Sequence, residues 1–508
     1  MPPWKLLLLF SLVIGFALGN PCSNFTAPSL PDAKILEITS NVMFNLTLPS
    51  NLTGIYNPRS IDVCNVTITL THPDEDDHVF ISIWLPPAEQ WNRRYAATGG
   101  GGLAAGYPHN MFAPVVAGFA SSSTDGGLTL NHTVDPQTGL WIRSPDGTIN
   151  TSLLVNLADR SVHDMAVASK DIIEQYYDAP ATKAYYTGCS QGGRQGYAAA
   201  AHYPRDFDGI LAVAPALSSE LIGPANFWPW IVMRQEGELV PPCIFSKFEE
   251  AIVEACDPVD GVTDGLISDP GLLKSCEFYS TAIIGEVVDC GEDDPVTITE
   301  KHGRIVQKIL NGPVDEDGNK LWFGLTLGAS FSALAGSVAL NGTRIPKPFS
   351  PSAGWLHAML PSNVSDIFNI TDEQYLNVFS LSAELGTPIF GLDPSDLTDF
   401  HDAGGKLLTW VGLSDEAINP LNLLEFYDSA KQLNDDVNDF YRLFTAPGVG
   451  HCKGGTGPQP LNALPALVKW VENGIAPETL PTMSNRLHSR RVAKAATRPL
   501  CLYPKKAS

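Results

Sequence analysis

Apolar positions recur with two different periods along the first 216 residues of the chain. RSVHDMAVASKDIIEQYY places apolar side chains at helical spacing, and GGRQGYAAAAHYP is predicted to begin a helix at its glycines. Around them lie short apolar runs of strand length: HVFISIWLPP, RRYAATGGGG, VVAGFASSS, KAYYTGCS and GILAVAPA. Strands that alternate with helices predict a mostly parallel sheet with helices on its faces.

The alternation stops at residue 217 and resumes at residue 400. Residues 217–399 are rich in Trp and Pro and carry an acidic loop and several cysteines. Beyond them come the strand-like GGKLLTWVGLSD and FYRLFTAPGVGHC and the helix-like ALPALVKWVENG. We therefore predict an α/β core formed by residues 20–216 and 400–508. The inserted segment 217–399 is expected to act as a lid over the carboxyl ends of the strands, where open α/β sheets bind ligands.

The first 19 residues have the pattern of a secretory signal peptide: Lys5, an apolar run, and Ala17-Leu18-Gly19 as the cleavage site. The run is shorter than the roughly 20 residues that span a bilayer. We expect a secreted, N-glycosylated protein, since the sequons are widely scattered, at Asn24, Asn45, Asn51, Asn65, Asn131, Asn150, Asn341, Asn363 and Asn369. A net charge of −23 argues against nucleic acid or an anionic membrane as a partner.

The segment YYTGCSQGGRQGY contains the pattern G-x-S-x-G at residues 188–192, between a predicted strand and a predicted helix. Glycines permit the sharp turn that exposes the serine, and the helix N-terminus favours negative charge that develops beside it. The pattern also fits a plain structural turn, but its context favours Ser190 as a nucleophile.

Cys189 cannot be the centre of the same turn, because Thr187 and Gln191 stand where glycines would be needed. Cys452 directly follows His451, so a Cys189–Cys452 disulfide would bring a serine and a histidine together, since bridged Cα atoms lie about 4.4 to 6.8 Å apart. His451 alone reads as a loop histidine, whereas beside this doublet it is predicted to be the general base.

A triad also needs an acid, and in an α/β-hydrolase the acid lies between the serine and the histidine in the sequence. Asp415 follows the predicted strand KLLTWVGLS and is our candidate. It could instead cap a helix. Asp402 and Glu416 are the alternatives.

The oxyanion hole is predicted to use the backbone N–H of Gln191 and one from the glycine loop ATGGGGLAAG, at Gly101 or Gly102. The four glycines are also compatible with a flexible turn.

With these residues identified, the sequence resembles the tannase and feruloyl esterase family of secreted ester hydrolases. The resemblance covers most of the chain and rests on WNRRYAATGGGG, RSVHDMAVASK, YYTGCSQGGRQG, YPRDFDGILAVAPA, KLLTWVGLSD, FYRLFTAPGVGHCKGG, WVENGIAPETL and TRPLCLYP. It implies an α/β-hydrolase fold, a Ser190, Asp415 and His451 triad, a Cys189–Cys452 clamp and no organic cofactor. The implied substrates are small-molecule or plant-polymer esters of aromatic acids, of the feruloyl or galloyl type. The alternatives are an esterase or transacylase that tailors a fungal secondary metabolite, and a non-catalytic binding protein on the same fold.

The segment CDPVDGVTDGLISDP resembles the loop that binds calcium in that family. The resemblance implies a structural Ca²⁺ held by oxygen ligands, which suit this hard cation. On its own the segment reads as an acidic turn, and its spacing is not that of an EF-hand. The implied ligands are Asp257, Asp260 and Asp264 and the carbonyls of Val262 and Leu266.

The chain has 9 cysteines, so at least one is unpaired. The resemblance implies Cys22–Cys64 and Cys256–Cys276 disulfides, and we predict a Cys243–Cys290 pair that leaves Cys501 free. Phe227, Trp228 and Trp230 are either candidates to stack on an aromatic acyl group or members of the core.

Overall fold

The computed structural model describes residues 22–47, 60–75, 77–291, 295–341, 343–483 and 498–505. The predicted signal peptide and the sequon at Asn51 lie outside these residues. Within the described chain, one sheet has nine strands in the order β1-β2-β3-β5-β4-β6-β7-β8-β9. The strands are β1 (Lys34–Leu46), β2 (Ile61–Thr71), β3 (Val79–Leu85), β4 (Arg94–Thr98), β5 (Ala120–Thr124), β6 (Lys183–Cys189), β7 (Gly209–Val213), β8 (Lys406–Gly412) and β9 (Tyr441–Ala446).

The sheet is parallel from β5 through β4, β6, β7 and β8 to β9. The other end is antiparallel, with β1 paired to β2, β2 to β3 and β3 to β5. The sequence analysis predicted the parallel part but neither β1 nor β2. Because β6, β7, β8 and β9 run in the same direction, their carboxyl ends share one edge of the sheet, and the loops that follow them meet there.

Helices cover the sheet as the alternation predicts. Ser161–Tyr177 buries Val162, Met165 and Ile172 against the core, which is the face that its helical spacing indicates. A single π-helical turn, Asn156–Arg160, directly precedes this helix. The other long helices of the core are Gln191–His202, Pro420–Leu433 and Ala463–Asn473.

Residues 217–399 supply most of a second hydrophobic cluster, to which residues between Leu103 and Ala158 also contribute, and none of their described residues lies in a strand of the nine-stranded sheet. We propose that this segment forms the inserted lid. Phe227, Trp228 and Trp230 are buried in this cluster, as in the second of the two interpretations above. Its longer helices are Ser219–Ala225, Trp228–Glu236, Pro242–Cys256, Glu300–Asn311, Ser350–Met359 and Asp372–Phe390.

Cross-links connect distant parts of the chain. The disulfides are Cys22–Cys64, Cys189–Cys452, Cys243–Cys290 and Cys256–Cys276, and Cys501 is the free cysteine. Among the described helices, none is both long enough and apolar enough to cross a bilayer.

A buried ionic cluster fixes the loop after β2 to the helix Ser161–Tyr177. His72 contacts Asp77 through Nδ1 at 2.6 Å and Asp164 through Nε2 at 3.0 Å. Burial lowers the pKa of His72, but the hydrogen bonds to Asp164 and Asp77 outweigh it and raise the pKa to about 9. Asn156 donates to Asp77 at 2.9 Å, which ties the π-helical turn to the same cluster.

Candidate active site

Ser190 occupies a sharp turn between β6 and the helix Gln191–His202. Its backbone has φ 65° and ψ −124°, a conformation that is strained for a residue with a side chain. The neighbouring glycines are needed for space: a Cβ on Gly188 would lie 2.4 Å from the Gly192 carbonyl oxygen, and one on Gly192 would lie 2.7 Å from the Gly100 carbonyl oxygen. The close approach of strand and helix therefore raises Ser190 above the sheet edge, as in a nucleophile elbow.

A disulfide holds the turn against the loop that follows β9. The Cα atoms of Cys189 and Cys452 lie 6.0 Å apart, although the two residues are 263 positions apart in the sequence. Ser190 and His451 are the direct neighbours of these cysteines. The cross-link thus keeps the two loops together at the carboxyl edge of the sheet.

His451 is hydrogen-bonded to Asp415, which is 1% exposed and lies in the loop after β8. Asp415 Oδ2 lies 2.9 Å from His451 Nδ1, while Oδ1 accepts the backbone N–H groups of Ala417 at 2.9 Å and Ile418 at 2.8 Å. An ionised carboxylate only accepts hydrogen bonds, so Nδ1 carries a proton. In neutral imidazole Nε2 is then the basic nitrogen.

Glu416 contacts the same histidine in another way, because its Oε2 accepts the backbone N–H of His451 at 3.0 Å. Burial lowers the pKa of His451, but the charge and hydrogen bond of Asp415 and the charge of Glu416 outweigh it, so this pKa is raised. Burial, together with the neighbouring Asp415, raises the pKa of Glu416. Asp402, the other alternative acid, is exposed and pairs with His401 at 3.8 Å.

The two glycine candidates for the oxyanion hole differ in what their N–H groups do. The Gly101 N–H donates to the Ala104 carbonyl at 3.2 Å. Gly102 has φ 60° and borders the same cavity as Ser190 and Gln191, and none of the described residues accepts its N–H. Gln191 is the first helical residue, whose N–H has no partner within the helix. The geometry favours Gly102 over Gly101.

Two glutamines that sequence reasoning missed hold the glycine loop in place. Gln137 donates to the Gly101 carbonyl at 2.9 Å and accepts the Leu103 N–H at 3.0 Å. Gln195 accepts the Gly100 N–H at 3.2 Å. Gln195 lies one turn after Gln191 within the quoted elbow motif, whereas nothing in the sequence around Gln137 signals its role.

A narrow cavity of about 60 Å³ opens beside Ser190, between the core and residues 217–399. Its lining is mostly apolar and includes Phe349, Trp355, Phe390 and Ile418. A lining of this kind favours an apolar group over a charged one next to the serine.

In the acidic loop that was predicted to bind calcium, backbone N–H groups of the loop donate hydrogen bonds to its own carboxylates. Asp257 accepts the N–H groups of Asp264 at 3.2 Å and Gly265 at 2.8 Å, and Asp260 accepts that of Ser268 at 2.9 Å. Arg498 pairs with Asp264 at 3.0 Å. Burial raises the pKa of Asp264, and Asp257 and Asp260 raise it further against the opposing Arg498.

The donors of this loop are compatible with a hard divalent cation. None of the described N–H groups donates to the carbonyls of Val262 or Leu266. Asp257 and Asp260 disfavour the negative charge of Asp264, and a bound cation would offset this repulsion.

Another group of possible metal ligands lies outside the active site. His72, Glu75 and Asp77 offer ligand atoms that all lie within 4.8 Å of one another. Both ring nitrogens of His72 already contact carboxylates, and Arg160 pairs with Glu75 at 2.6 and 2.9 Å. These internal pairs balance the charges that a metal ion would otherwise balance.

Comparisons with known proteins identify the family of the chain. The family model described as tannase and feruloyl esterase matches residues 64–508. The chain is 38% identical over 494 residues to a probable feruloyl esterase of Arthroderma benhamiae, a match that covers 96% of this chain and 90% of that protein. It is 30% identical over 473 residues to feruloyl esterase B of Aspergillus niger, covering 88% of this chain and 84% of that protein.

Solved structures share the fold. Tannin acyl hydrolase from Aspergillus niger superposes with a TM-score of 0.79 at 24% identity, covering 94% of this chain and 89% of that one. An esterase from Aspergillus oryzae gives a TM-score of 0.74 at 26% identity, covering 94% of each chain. The sheet and its covering helices thus form an α/β-hydrolase fold, as predicted. The chain belongs to the tannase and feruloyl esterase family of carboxylic ester hydrolases.

Proposed function

We propose that this protein hydrolyses esters of aromatic acids through an acyl-enzyme on Ser190, with His451 as the general base and Asp415 as its orienting acid. The observation that carries the proposal is the hydrogen bond between buried Asp415 and His451. The Cys189–Cys452 disulfide holds this pair next to the turn that carries Ser190. The adjoining apolar cavity and the names of the relatives, which are feruloyl esterases and a tannin acyl hydrolase, support an aromatic acyl group.

The reaction takes two steps. His451 Nε2 accepts the proton of the Ser190 hydroxyl as its oxygen attacks the ester carbonyl, and the imidazolium then protonates the departing alcohol. The N–H groups of Gln191 and Gly102 stabilise the oxyanion of each tetrahedral intermediate. Water, deprotonated by His451, attacks the acyl-enzyme, and Ser190 regains its proton as the acid leaves. Relatives named as esterases favour water over a second alcohol as the acceptor.

We also propose that the acidic loop binds a structural Ca²⁺ through Asp257, Asp260 and Asp264 and the carbonyls of Val262 and Leu266. The ion would neutralise the clustered carboxylates and fix the loop, which precedes the Cys276 end of the Cys256–Cys276 disulfide. It has no part in the acyl-transfer steps.

We also propose that the protein is exported and N-glycosylated. Disulfides form and persist in oxidising compartments, and this chain forms four. The sequon residues Asn24 and Asn131 are exposed, so a glycan at either position extends into solvent.

Removing the nucleophile tests the proposal directly. We expect the wild type to hydrolyse methyl ferulate or methyl gallate and Ser190→Ala to lose at least about 10⁴-fold in kcat, because the acyl-enzyme cannot form. Product chromatography checks this. Ser246→Ala, at an exposed serine of the helix Pro242–Cys256, should keep wild-type activity. Residual turnover of Ser190→Ala near the wild-type rate would refute the assignment.

The two glycine candidates give a matched pair of variants. A Cβ at Gly102 would meet Gln137 Oε1 at 2.3 Å and Pro351 Cγ at 2.7 Å, whereas one at Gly101 meets only Tyr107 at 3.7 Å. We expect Gly102→Ala to lower kcat toward the about 10²- to 10³-fold loss typical of one missing oxyanion donor, and Gly101→Ala to stay near wild type. Steady-state kinetics and thermal melts of both variants decide, and equal kcat values would contradict the choice of Gly102.

The raised pKa of His451 predicts an acid limb in the pH profile. A general base must be neutral, so kcat/KM should fall as the pH drops through a value above the ordinary histidine pKa of about 6.5. Glu416→Gln removes one charge that raises this pKa and should move the limb to lower pH. Asp402→Asn, at an exposed acid, is the control that should not move it. A limb unchanged in Glu416→Gln would rule out this electrostatic role.

Chelation tests the calcium proposal. An ion that binds only the folded state stabilises a protein by about 2.7 kcal/mol when its free concentration is 100 times its Kd. EDTA should therefore lower the Tm of this protein, and added Ca²⁺ should restore it. Asp260→Asn should abolish most of this response. Asp315→Asn, in the exposed turn at Asp315–Asn319, should retain it. A Tm of the wild type that is indifferent to EDTA and Ca²⁺ would exclude the site.

A further inference from the structure

The side chain of Gln195 is completely buried on the helix Gln191–His202, one turn after the start of that helix. Its amide oxygen accepts the Gly100 N–H at 3.2 Å, and its amide nitrogen donates to the carbonyls of Ala105 at 3.1 Å and Leu157 at 3.2 Å. These partners, one donor and two acceptors, fix the orientation of the amide. A single planar group therefore joins the helix to two other backbone segments.

Two of these bonds hold the glycine loop at both ends. Gly100 and Ala105 stand on either side of Gly102, the oxyanion donor that the geometry favours. Gln195 bonds the N–H of the first and the carbonyl of the second, and the turn between them is closed by its own backbone hydrogen bonds. The path of the chain at Gly102 thus depends on one side chain of the neighbouring helix.

The third bond ends on the π-helical turn Asn156–Arg160. The Leu157 carbonyl of this turn accepts the side-chain amide of Gln195 and also that of Gln191, each at 3.2 Å. Arg194, which lies between them on the helix, donates to the next carbonyl of the turn at 2.8 Å. Turns of this kind interrupt the regular α-helical hydrogen bonds and recur at functional sites. Here the turn supports the start of the helix, where Gln191 supplies the other oxyanion donor.

The π-helical turn is itself anchored in the core. Asn156 is fully buried and donates to Asp77 at 2.9 Å and to the Gly126 carbonyl at 3.1 Å. Asp77 belongs to the ionic cluster around His72. The turn is therefore a fixed support for the helix and, through Gln195, for the glycine loop.

We propose that Gln195 is a positioning residue that sets the spacing between the two oxyanion donors, the N–H groups of Gly102 and Gln191. The two donors lie on different segments of the chain, and the amide of Gln195 bonds both to the loop that carries one and to the turn that supports the other. Such donors act at about 2.7 to 3.1 Å from the oxyanion, so a displaced donor weakens a bond that the transition state needs. The inference rests on the proposed esterase function and assigns the residue that holds its oxyanion hole.

Gln195→Met tests this role, because it keeps the length of the side chain and removes the amide. We expect kcat for methyl ferulate or methyl gallate to fall by about 10- to 100-fold, less than the loss of a whole donor, while KM changes by less than about threefold. Steady-state kinetics measure both constants. Gln90→Met, at an exposed glutamine between β3 and β4, is the matched control and should keep the wild-type values.

A transition-state analogue separates positioning from a purely structural role. When phenethyl trifluoromethyl ketone binds, the Ser190 oxygen adds to the ketone carbon, the serine proton passes to His451, and the carbonyl oxygen becomes an oxyanion. Its Ki should therefore rise in Gln195→Met by about the factor that kcat falls. A loss of kcat with an unchanged Ki, or an increase in KM as large as the loss of kcat, would overturn the role of Gln195.

A double variant tests whether Gln195 acts through the glycine loop. In Gly102→Ala the donor is already displaced, so the addition of Gln195→Met should lower kcat by less than about a further threefold. Two losses that simply multiply would contradict the proposal.

A second substitution keeps the test open if Gln195→Met does not fold. Gln195→Glu still accepts the Gly100 N–H but, when ionised, cannot donate to the carbonyls of Ala105 and Leu157. It is expected to show the same fall in kcat and the same rise in the Ki of the ketone. Wild-type values of both constants in this variant would refute the role.

Failure of the inference differs from failure of the function. If the wild type cleaves its ester and Gln195→Met does so at the same rate, the role of Gln195 is refuted while the esterase stands. If the wild type cleaves none of methyl ferulate, methyl gallate and p-nitrophenyl acetate, the esterase function falls, and the role of Gln195 falls with it.

Discussion

The arrangement of the site depends on a steric constraint where β6 meets the helix Gln191–His202. The strand and the helix approach so closely that Gly188 and Gly192 have no room for a Cβ, and Gly193 would place one 2.5 Å from the Val213 carbonyl oxygen. The strained backbone of Ser190 is the geometric result of this packing. The chain stores strain at one residue and offsets it with the buried contacts of a whole sheet and helix.

Two adjacent carboxylates, Asp415 and Glu416, bond to different parts of His451 and set the electrostatics of the site. Asp415 bonds to the imidazole of His451, whereas Glu416 bonds to the backbone of the same residue. One acid thus orients the ring and the other fixes the loop that carries it, while both charges raise the pKa of His451 and so favour its protonated form. Burial alone would lower the pKa of His451.

Much of this organisation was predictable from the sequence, because it is encoded in short-period hydrophobic patterns and in local motifs. The parallel strands, the elbow and the Cys-Ser and His-Cys doublets are of that kind. The antiparallel β1 escaped prediction, since its side chains are half-exposed and alternate irregularly. Gly101 and Gly102 are indistinguishable in the sequence, and only the folded chain separates them, through the Gly101–Ala104 hydrogen bond and the φ of 60° at Gly102.

The Cys189–Cys452 bond has a consequence for the biosynthesis of the protein. It closes a loop of 263 residues that contains all of residues 217–399, so it cannot form until translation has passed the last core strand. In the chain-entropy view, a loop of that length restricts the unfolded chain by about 5 to 6 kcal/mol, more than a short loop would. Cys501 has no disulfide partner in the structure, and a free thiol is the group that attacks disulfides in thiol–disulfide exchange. Ester turnover by the finished protein therefore reports correct cysteine pairing as well as catalysis.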